Sequence, residues 1–219
     1  MPKSSTRSPR IEDLVLRDLA VPQDGHPEAG DHREGELYSS MSLDGLDLGG
    51  ISFSECLFEG TSLNETQLRG ARFRECRFTE LFAPVFAAAR SSWRNVWLEG
   101  TRWGSAELYD STLESVRISG GKLDFLNLRS STLTDVDISD CIIGDLDLTE
   151  AKGVRVALRN CRINTLTLTG SRLRDVDLRT TEFRALTGPD GLGGVTIDSY
   201  QLGLLAPILA ENLGLRVED

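Results

Sequence analysis

A chain of 219 residues with 39% hydrophobic and 26% charged side chains and a formal net charge of −10 has the makeup of a folded, water-facing protein, not of a disordered or collagen-like one. The acidic balance argues against direct nucleic-acid binding. No apolar run of about 18 residues occurs, and Met1-Pro2-Lys3-Ser4-Ser5-Thr6 begins no apolar leader, so a soluble cytoplasmic protein is expected.

Residues 1–37 read as an irregular N-terminal arm. Pro22, Gly25, Pro27 and Gly30 punctuate it. Ahead of them Leu14, Val15, Leu16, Leu19 and Val21 are expected to lie over the open end of whatever follows, shielding its strand edges.

From Tyr38 to Phe183 a bulky apolar residue recurs at every fifth position. The column begins Tyr38, Leu43, Leu48, Phe53, Phe58 and continues through Trp93, Leu128 and Ile138 to Leu178 and Phe183. Only Ala83, Ala88 and Gly153 depart from it. This period fits neither a helix nor a strand, so it denotes a repeat architecture. A second column lies two residues earlier. From Val96 onward it alternates Val or Leu (Ala106 excepted) with Thr101, Ser111, Gly121, Ser131, Cys141, Ala151, Cys161, Ser171 and Thr181. Such large–small alternation suits a narrow interior in which adjacent walls interdigitate. The remaining three positions of each pentad are mostly Arg, Asp, Glu, Ser, Thr and Gly, which suits solvent.

Pentads such as Val136-Asp137-Ile138-Ser139-Asp140, Leu146-Asp147-Leu148-Thr149-Glu150 and Val176-Asp177-Leu178-Arg179-Thr180 resemble those of the pentapeptide-repeat family. The resemblance implies an all-β solenoid, a right-handed quadrilateral β-helix with four pentads per coil, over 38–187. Thirty pentads then make 7–8 coils, a rod roughly 36 Å long at about 4.8 Å per coil, whose ends need caps. The stretch Leu81–Ser92, with Pro84 and a run of alanines, is expected to bulge or take a helical turn, Phe82 and Phe86 replacing the missing bulk.

After the repeat, Gly188-Pro189-Asp190-Gly191 predicts a turn, and residues 188–219 a capping helix. Asp198 and Gln201 form a capping-box pair, with Leu202, Leu205, Leu209 and Leu213 at helical spacing. Pro207 kinks or splits the helix, and Gly214 ends it. In quinolone-resistance members of the family a comparable segment builds a dimer, so monomer and homodimer through this segment both stay open.

The four cysteines, Cys56, Cys76, Cys141 and Cys161, all fall in the small column, where free thiols act as apolar filler. The two histidines, His26 and His32, lie in the arm. No phosphate loop, paired-cysteine or zinc-protease motif occurs, so no catalytic residue, metal site or cofactor is expected. Residues 20 apart stack vertically. Asp135, Arg155 and Asp175, and likewise Arg117 and Asp137, therefore read as charge ladders. Trp97 is the one tryptophan expected to face outward.

Within the repeat, 21 acidic and 17 basic side chains nearly cancel. The wall of Phe53 is basic, with Arg72, Arg74, Arg94, Lys152, Arg155, Arg172 and Arg174. The wall of Leu48 is mildly acidic, with Asp47, Glu107, Asp110, Asp147 and Glu150. These two sets are the candidate interaction surfaces. The expected function is a non-enzymatic scaffold that binds a protein partner through its walls. The alternative implied by the resemblance is a DNA mimic that binds type II topoisomerase (gyrase), as quinolone-resistance pentapeptide proteins do. Mimicry requires charge near duplex density, one per about 1.7 Å, far above what these walls offer.

Overall fold

The computed structural model describes residues 6–23, 25–216 and 218. Every strand from His32–Glu34 to Glu182–Thr187 pairs in parallel with the strand 20 residues away: His32 with Ser52, Arg72 with Ser92, Leu123 with Ile143, Ile163 with Phe183. Four pentads therefore close one coil, and the chain is a parallel β-solenoid of about 8 coils. The strands form an 11-stranded sheet and a 6-stranded sheet. Strands of eight residues, Arg72–Thr79 to Lys152–Arg159, line the first. Strands of six residues, Phe82–Ala87 to Glu182–Thr187, line the second.

The coil closes because the last residue of most pentads adopts a left-handed backbone. Glycine takes this corner at Gly50, Gly70, Gly100 and Gly120, yet Glu75 (φ 53°), Arg90 (φ 58°) and Arg155 (φ 53°) do so as well. A side chain there costs on the order of 1 kcal/mol. The ladder hydrogen bonds of the adjoining coils hold it in place.

Every column residue from Tyr38 to Leu168 is buried, and so is Leu178; Leu173 and Phe183, in the last coils, are half-buried. The first coils pack aromatically. Tyr38, Phe58 and Phe78 stack at 4.7 and 4.5 Å, and Phe53, Phe73 and Trp93 at 5.6 and 4.1 Å, with edge-on contacts between the stacks. Later coils are filled by Leu, Ile and Val.

The second column does more than save space. The hydroxyls of Thr61, Ser131 and Thr181 donate to the carbonyls of Tyr38, Leu108 and Leu158, each 23 residues back, at 2.7, 2.8 and 2.9 Å. Cys76 and Cys161 make longer, weaker contacts of the same kind, at 3.5 Å. All four cysteines are buried and free. Burial pushes the Cys76 thiol up, and the hydrogen bond with Cys161, reinforced by burial, pushes up that of Cys141, so these two stay protonated at neutral pH.

Three features depart from the sequence-based expectations. First, Leu81–Ser92 neither bulges nor turns helical. Phe82–Ala87 is a strand in register with Arg102–Glu107. Phe86 is buried and stacks on Trp103 at 4.9 Å, supplying the bulk that Ala83 and Ala88 lack, whereas Phe82 is 50% exposed. Pro84 is tolerated because it stands outward, and the next N–H, of Val85, is taken by Asn64 Oδ1 at 3.0 Å. Second, pairing begins before the hydrophobic column, at His32–Glu34. Arg33 occupies the column position there and is neutralised by Asp31 at 2.8 Å and Glu36 at 3.6 Å.

Third, the arm meets the edge of the first coil only at its end, where the Ala20 N–H donates to the Gly35 carbonyl and the Ala20 carbonyl accepts from the Leu37 N–H, both at 2.8 Å. It runs lengthwise. The Thr6 hydroxyl meets that of Thr196 near one end, and Ala20 bridges to Glu36 at the other. Leu14 is buried on the way, while Val15 and Val21 are exposed.

At the far end Pro189–Leu192 forms a 3-10 turn and Val195–Thr196 pairs with Val176–Asp177. Helix α1, Ser199–Asn212, closes the rod. Asp198 and Gln201 form the capping box, and Pro207 lies inside one continuous helix. Leu205 is buried and Leu209 half-buried, but Leu202 and Leu213 point to solvent, so the four leucines do not share one inward face. Among the described residues no helix is long and apolar enough to cross a membrane.

Candidate interaction surfaces

The walls of this solenoid are flat because in-register strands stack like on like, and each wall's character is set by vertical columns 20 residues apart. On the wall of Phe53 the outward columns read Ser52, Arg72, Ser92, Thr112, Thr132, Lys152, Arg172 and Ser54, Arg74, Arg94, Glu114, Thr134, Val154, Arg174. Arg74 and Arg94 are direct neighbours, like charges that a purely structural ladder avoids. Arg72, Arg74, Arg94, Lys152, Arg172 and Arg174 are all exposed, and among the described residues none has a carboxylate within salt-bridge reach. The basic groups form two clusters, separated by about three coils, or roughly 14 Å, that carry Thr112, Glu114, Thr132 and Thr134. Arg155 differs. It sits at the corner and clasps Asp135 with two bonds of 2.6 and 2.5 Å, holding that carboxyl below the usual carboxylate range.

The acidic set on the wall of Leu48 is spent internally. Asp47 accepts from the Gly49 N–H at 3.0 Å. Glu107 accepts from the side chains of Asn127 at 2.6 Å and Ser105 at 3.2 Å. Asp110 faces Arg90 at 3.5 Å and Asp147 faces Arg129 at 3.8 Å. Glu150 accepts from Ser130 at 3.1 Å. Asp110 and Asp147 thus face arginines, while Asp47, Glu107 and Glu150 have uncharged donors.

Trp97 stands on the wall of Phe58, its ring between the guanidinium groups of Arg77 at 5.7 Å and Arg117 at 4.5 Å, one coil to either side. Arg117 thus stacks on the indole instead of pairing with Asp137. That carboxylate is taken by Arg159 at 2.9 Å.

A surface with no signature in the sequence pattern runs along the wall of Leu43. Two adjoining clefts of about 750 and 950 Å³ share Lys122, Asp124 and Ile142, and helix α1 overhangs one end with Tyr200 and Leu204. Phe82 and Ile142 are its exposed apolar groups. Gly104 and Gly144 make the wall shallow, since a Cβ at either would collide with the carbonyl of Pro84 or Asp124. Among the described residues no group of three or more His, Cys, Asp or Glu side chains is arranged to hold a metal.

Comparison with known proteins follows from this geometry. The family model described as pentapeptide repeats matches residues 42–79, in eight copies. No curated protein matches the sequence. Among solved structures, a trypsin-treated form of QnrB1, a plasmid-mediated fluoroquinolone resistance protein, is 18% identical, covering 94% of this chain and 100% of its own with a TM-score of 0.43. HetL, a pentapeptide repeat protein involved in heterocyst differentiation regulation from the cyanobacterium Nostoc sp. strain PCC 7120, is 16% identical, covering 74% of this chain and 91% of its own with a TM-score of 0.44. Full-length QnrB1 is 18% identical, covering 83% and 91%, with a TM-score of 0.30. Pentapeptide repeats are therefore present at 42–79, and beyond the matched residues the same five-residue column and 20-residue coil run on to Phe183.

Proposed function

We propose that this protein is a non-enzymatic cytoplasmic scaffold whose basic wall, the wall of Phe53, receives the acidic surface of a protein partner. One observation carries this assignment: among the described residues Arg72, Arg74, Arg94, Arg172 and Arg174 stand exposed without carboxylate partners, while two of the five acids of the Leu48 wall, Asp110 and Asp147, face arginines. Unpaired arginines on a rigid wall bind with little ordering cost, because the backbone beneath them is fixed, and arginine is suited to carboxylate recognition. Self-association would use helix α1, whose Tyr200, Leu202 and Leu204 are exposed.

The test is affinity capture from native cytoplasm with the wild type and with a variant carrying Glu at Arg72, Arg74, Arg94, Arg172 and Arg174. A protein retained by the first and lost from the second supports the assignment; equal capture by both overturns it. A supercoiling assay with gyrase addresses DNA mimicry. Little inhibition is expected, since the repeat's 21 acidic and 17 basic side chains nearly cancel, far from the charge density of duplex DNA. Potent inhibition, abolished by reversing Asp47, Glu107, Asp110, Asp147 and Glu150, would replace the scaffold assignment.

A further inference from the structure

The N-terminal arm reads its own solenoid in a generic way. Between its two ends, three of its backbone N–H groups donate to side chains of a single corner column, Asn95, Ser115, Asp135, Arg155 and Asp175, whose residues are all left-handed with φ of 50° to 56°. The N–H of Arg7 donates to Asp175 Oδ1 at 3.3 Å, that of Arg10 to Asp135 Oδ1 at 2.9 Å, and that of Glu12 to Ser115 Oγ at 2.9 Å. The step from Arg7 to Arg10 is commensurate with the coils. Three extended residues span about 10 Å, and two coils rise about 9.6 Å.

Asp135 and Asp175 are acceptors whether or not the arm is present. Arg155 fixes Asp135 from the next coil, so that carboxylate is held in place by the body, not by the arm. Residues 6–16 are lightly held in return: Arg7, Arg10, Glu12, Asp13 and Val15 are exposed, and Leu14 is the one buried side chain among them. The arm also leaves the column incomplete. Asn95, one coil beyond Ser115, is 6% exposed, and its Oδ1 is buried with no donor. A buried acceptor left unpaired costs on the order of 1–3 kcal/mol, so an occupant that supplies a donor there would fit the column better than the arm does.

We propose that the corner column from Asn95 to Asp175 is a docking groove for an extended segment of a partner protein, and that residues 6–16 of the chain fill it until that segment displaces them. The fitting segment is extended. It offers free N–H groups at these steps, a leucine-sized apolar residue at the Leu14 place and basic side chains beside the Asp135 and Asp175 carboxylates. The proposal goes beyond the basic wall, since it requires none of Arg72, Arg74, Arg94, Arg172 or Arg174.

The probe is a fluorescent synthetic peptide of the sequence Thr6 to Leu16, added to the full-length chain and followed by anisotropy. In the wild type the tethered arm competes at high effective concentration. Arg10→Pro in the chain's own arm removes the N–H that Asp135 accepts. That variant is expected to bind the wild-type peptide at least tenfold tighter than the wild-type chain does. The same Arg10→Pro change made in the peptide, which cannot affect the fold, should weaken binding at least tenfold, and Arg10→Ala, which keeps the N–H, should weaken it less. Charge reversal of Arg72, Arg74 and Arg94 should leave peptide binding in place, so failure of the basic wall and failure of the groove are separable. Equal binding to both chains, equal binding of both peptides, or no binding at all overturns the groove. A concentration-dependent dimer of the wild type that is lost with Arg10→Pro would assign the groove to a second copy's arm and overturn the partner.

Discussion

Gln201 Nε2 donates to the carbonyl of Leu178 at 2.7 Å, across the same 23 residues that separate each hydroxyl of the small column from its acceptor. Gln201 stands 20 residues after Thr181, so a helical side chain occupies the place the next coil's Thr or Cys would take. It also donates to the Thr181 carbonyl at 2.7 Å, and its Oε1 accepts from the Asp198 N–H at 2.8 Å. Helix α1 therefore continues the repeat's hydrogen bonding while ending its strands.

Gln201→Leu is expected to cost about 2–4 kcal/mol, because two carbonyls at the end of the rod lose their donor in a site closed to water. Urea denaturation measures this. A loss below about 0.5 kcal/mol would mean that the helix is held by its apolar contacts alone.

The column assignment is tested by a neighbouring pair. Leu128→Ala removes a side chain that is 1% exposed and should cost about 2–5 kcal/mol. Arg129→Ala loses only a long, exposed contact to Asp147 at 3.8 Å and should stay within about 0.5 kcal/mol. Similar losses at both positions would refute the inward–outward alternation.

The left-handed corners give a prediction of opposite sign. Glu75 has φ 53° and no hydrogen bond or ion pair from its side chain among those described. Glu75→Gly should raise stability by about 0.5–1 kcal/mol, the relief of left-handed strain outweighing glycine's extra unfolded entropy. A lower melting temperature in the variant would count against strain at these corners.

Asp135 ties stability to acid. Its carboxyl is held low chiefly by Arg155 and also by the Arg10 N–H. A lowered folded value stabilises the protein above the unfolded carboxylate range, about pH 4, and that contribution fades as pH falls through the lowered value. Asp135→Asn should therefore be less stable than wild type at pH 7, by about 1–3 kcal/mol, with the gap closing below about pH 4. Asp137 works the other way, since burial raises its carboxyl; stability falls as pH rises through its window. Single-site variants, not bulk acid titration, separate the two. A gap independent of pH would disprove the assignment to Asp135.

The cysteines offer a chemical readout. All four are buried and free, so the folded protein should resist a thiol reagent and the denatured, unreduced protein should titrate four thiols. Two missing thiols would reveal a disulfide.

How far the sequence disclosed this molecule depended on whether a feature repeats. Leu128, Ile138 and Cys141 announce their burial through the five-residue period, and the pairing of Asp135 with Arg155 follows from the 20-residue coil. Where a residue has a coil on either side, the period does not choose between them: Arg117 turned to Trp97 instead of Asp137. Single-copy features were hidden. Arg33 masks the first coil by standing where a leucine is expected. The route of the arm left no trace, because Asp135 and Ser115 accept from its backbone, which carries no sequence.

The lengthwise arm makes the number of coils a fixed quantity. A solenoid can gain or lose 20 residues with its walls unchanged, and duplication of whole coils is the natural way for such a chain to grow. Here, however, the connection from Ala20 at the first coil to Thr6 at Thr196 behaves as a tape of set length. One added coil between Ser115 and Asp175 would lengthen the rod by about 4.8 Å and drag Arg7 or Arg10 off its acceptor unless the tape gained one or two residues. In evolution, arm and rod must change length together.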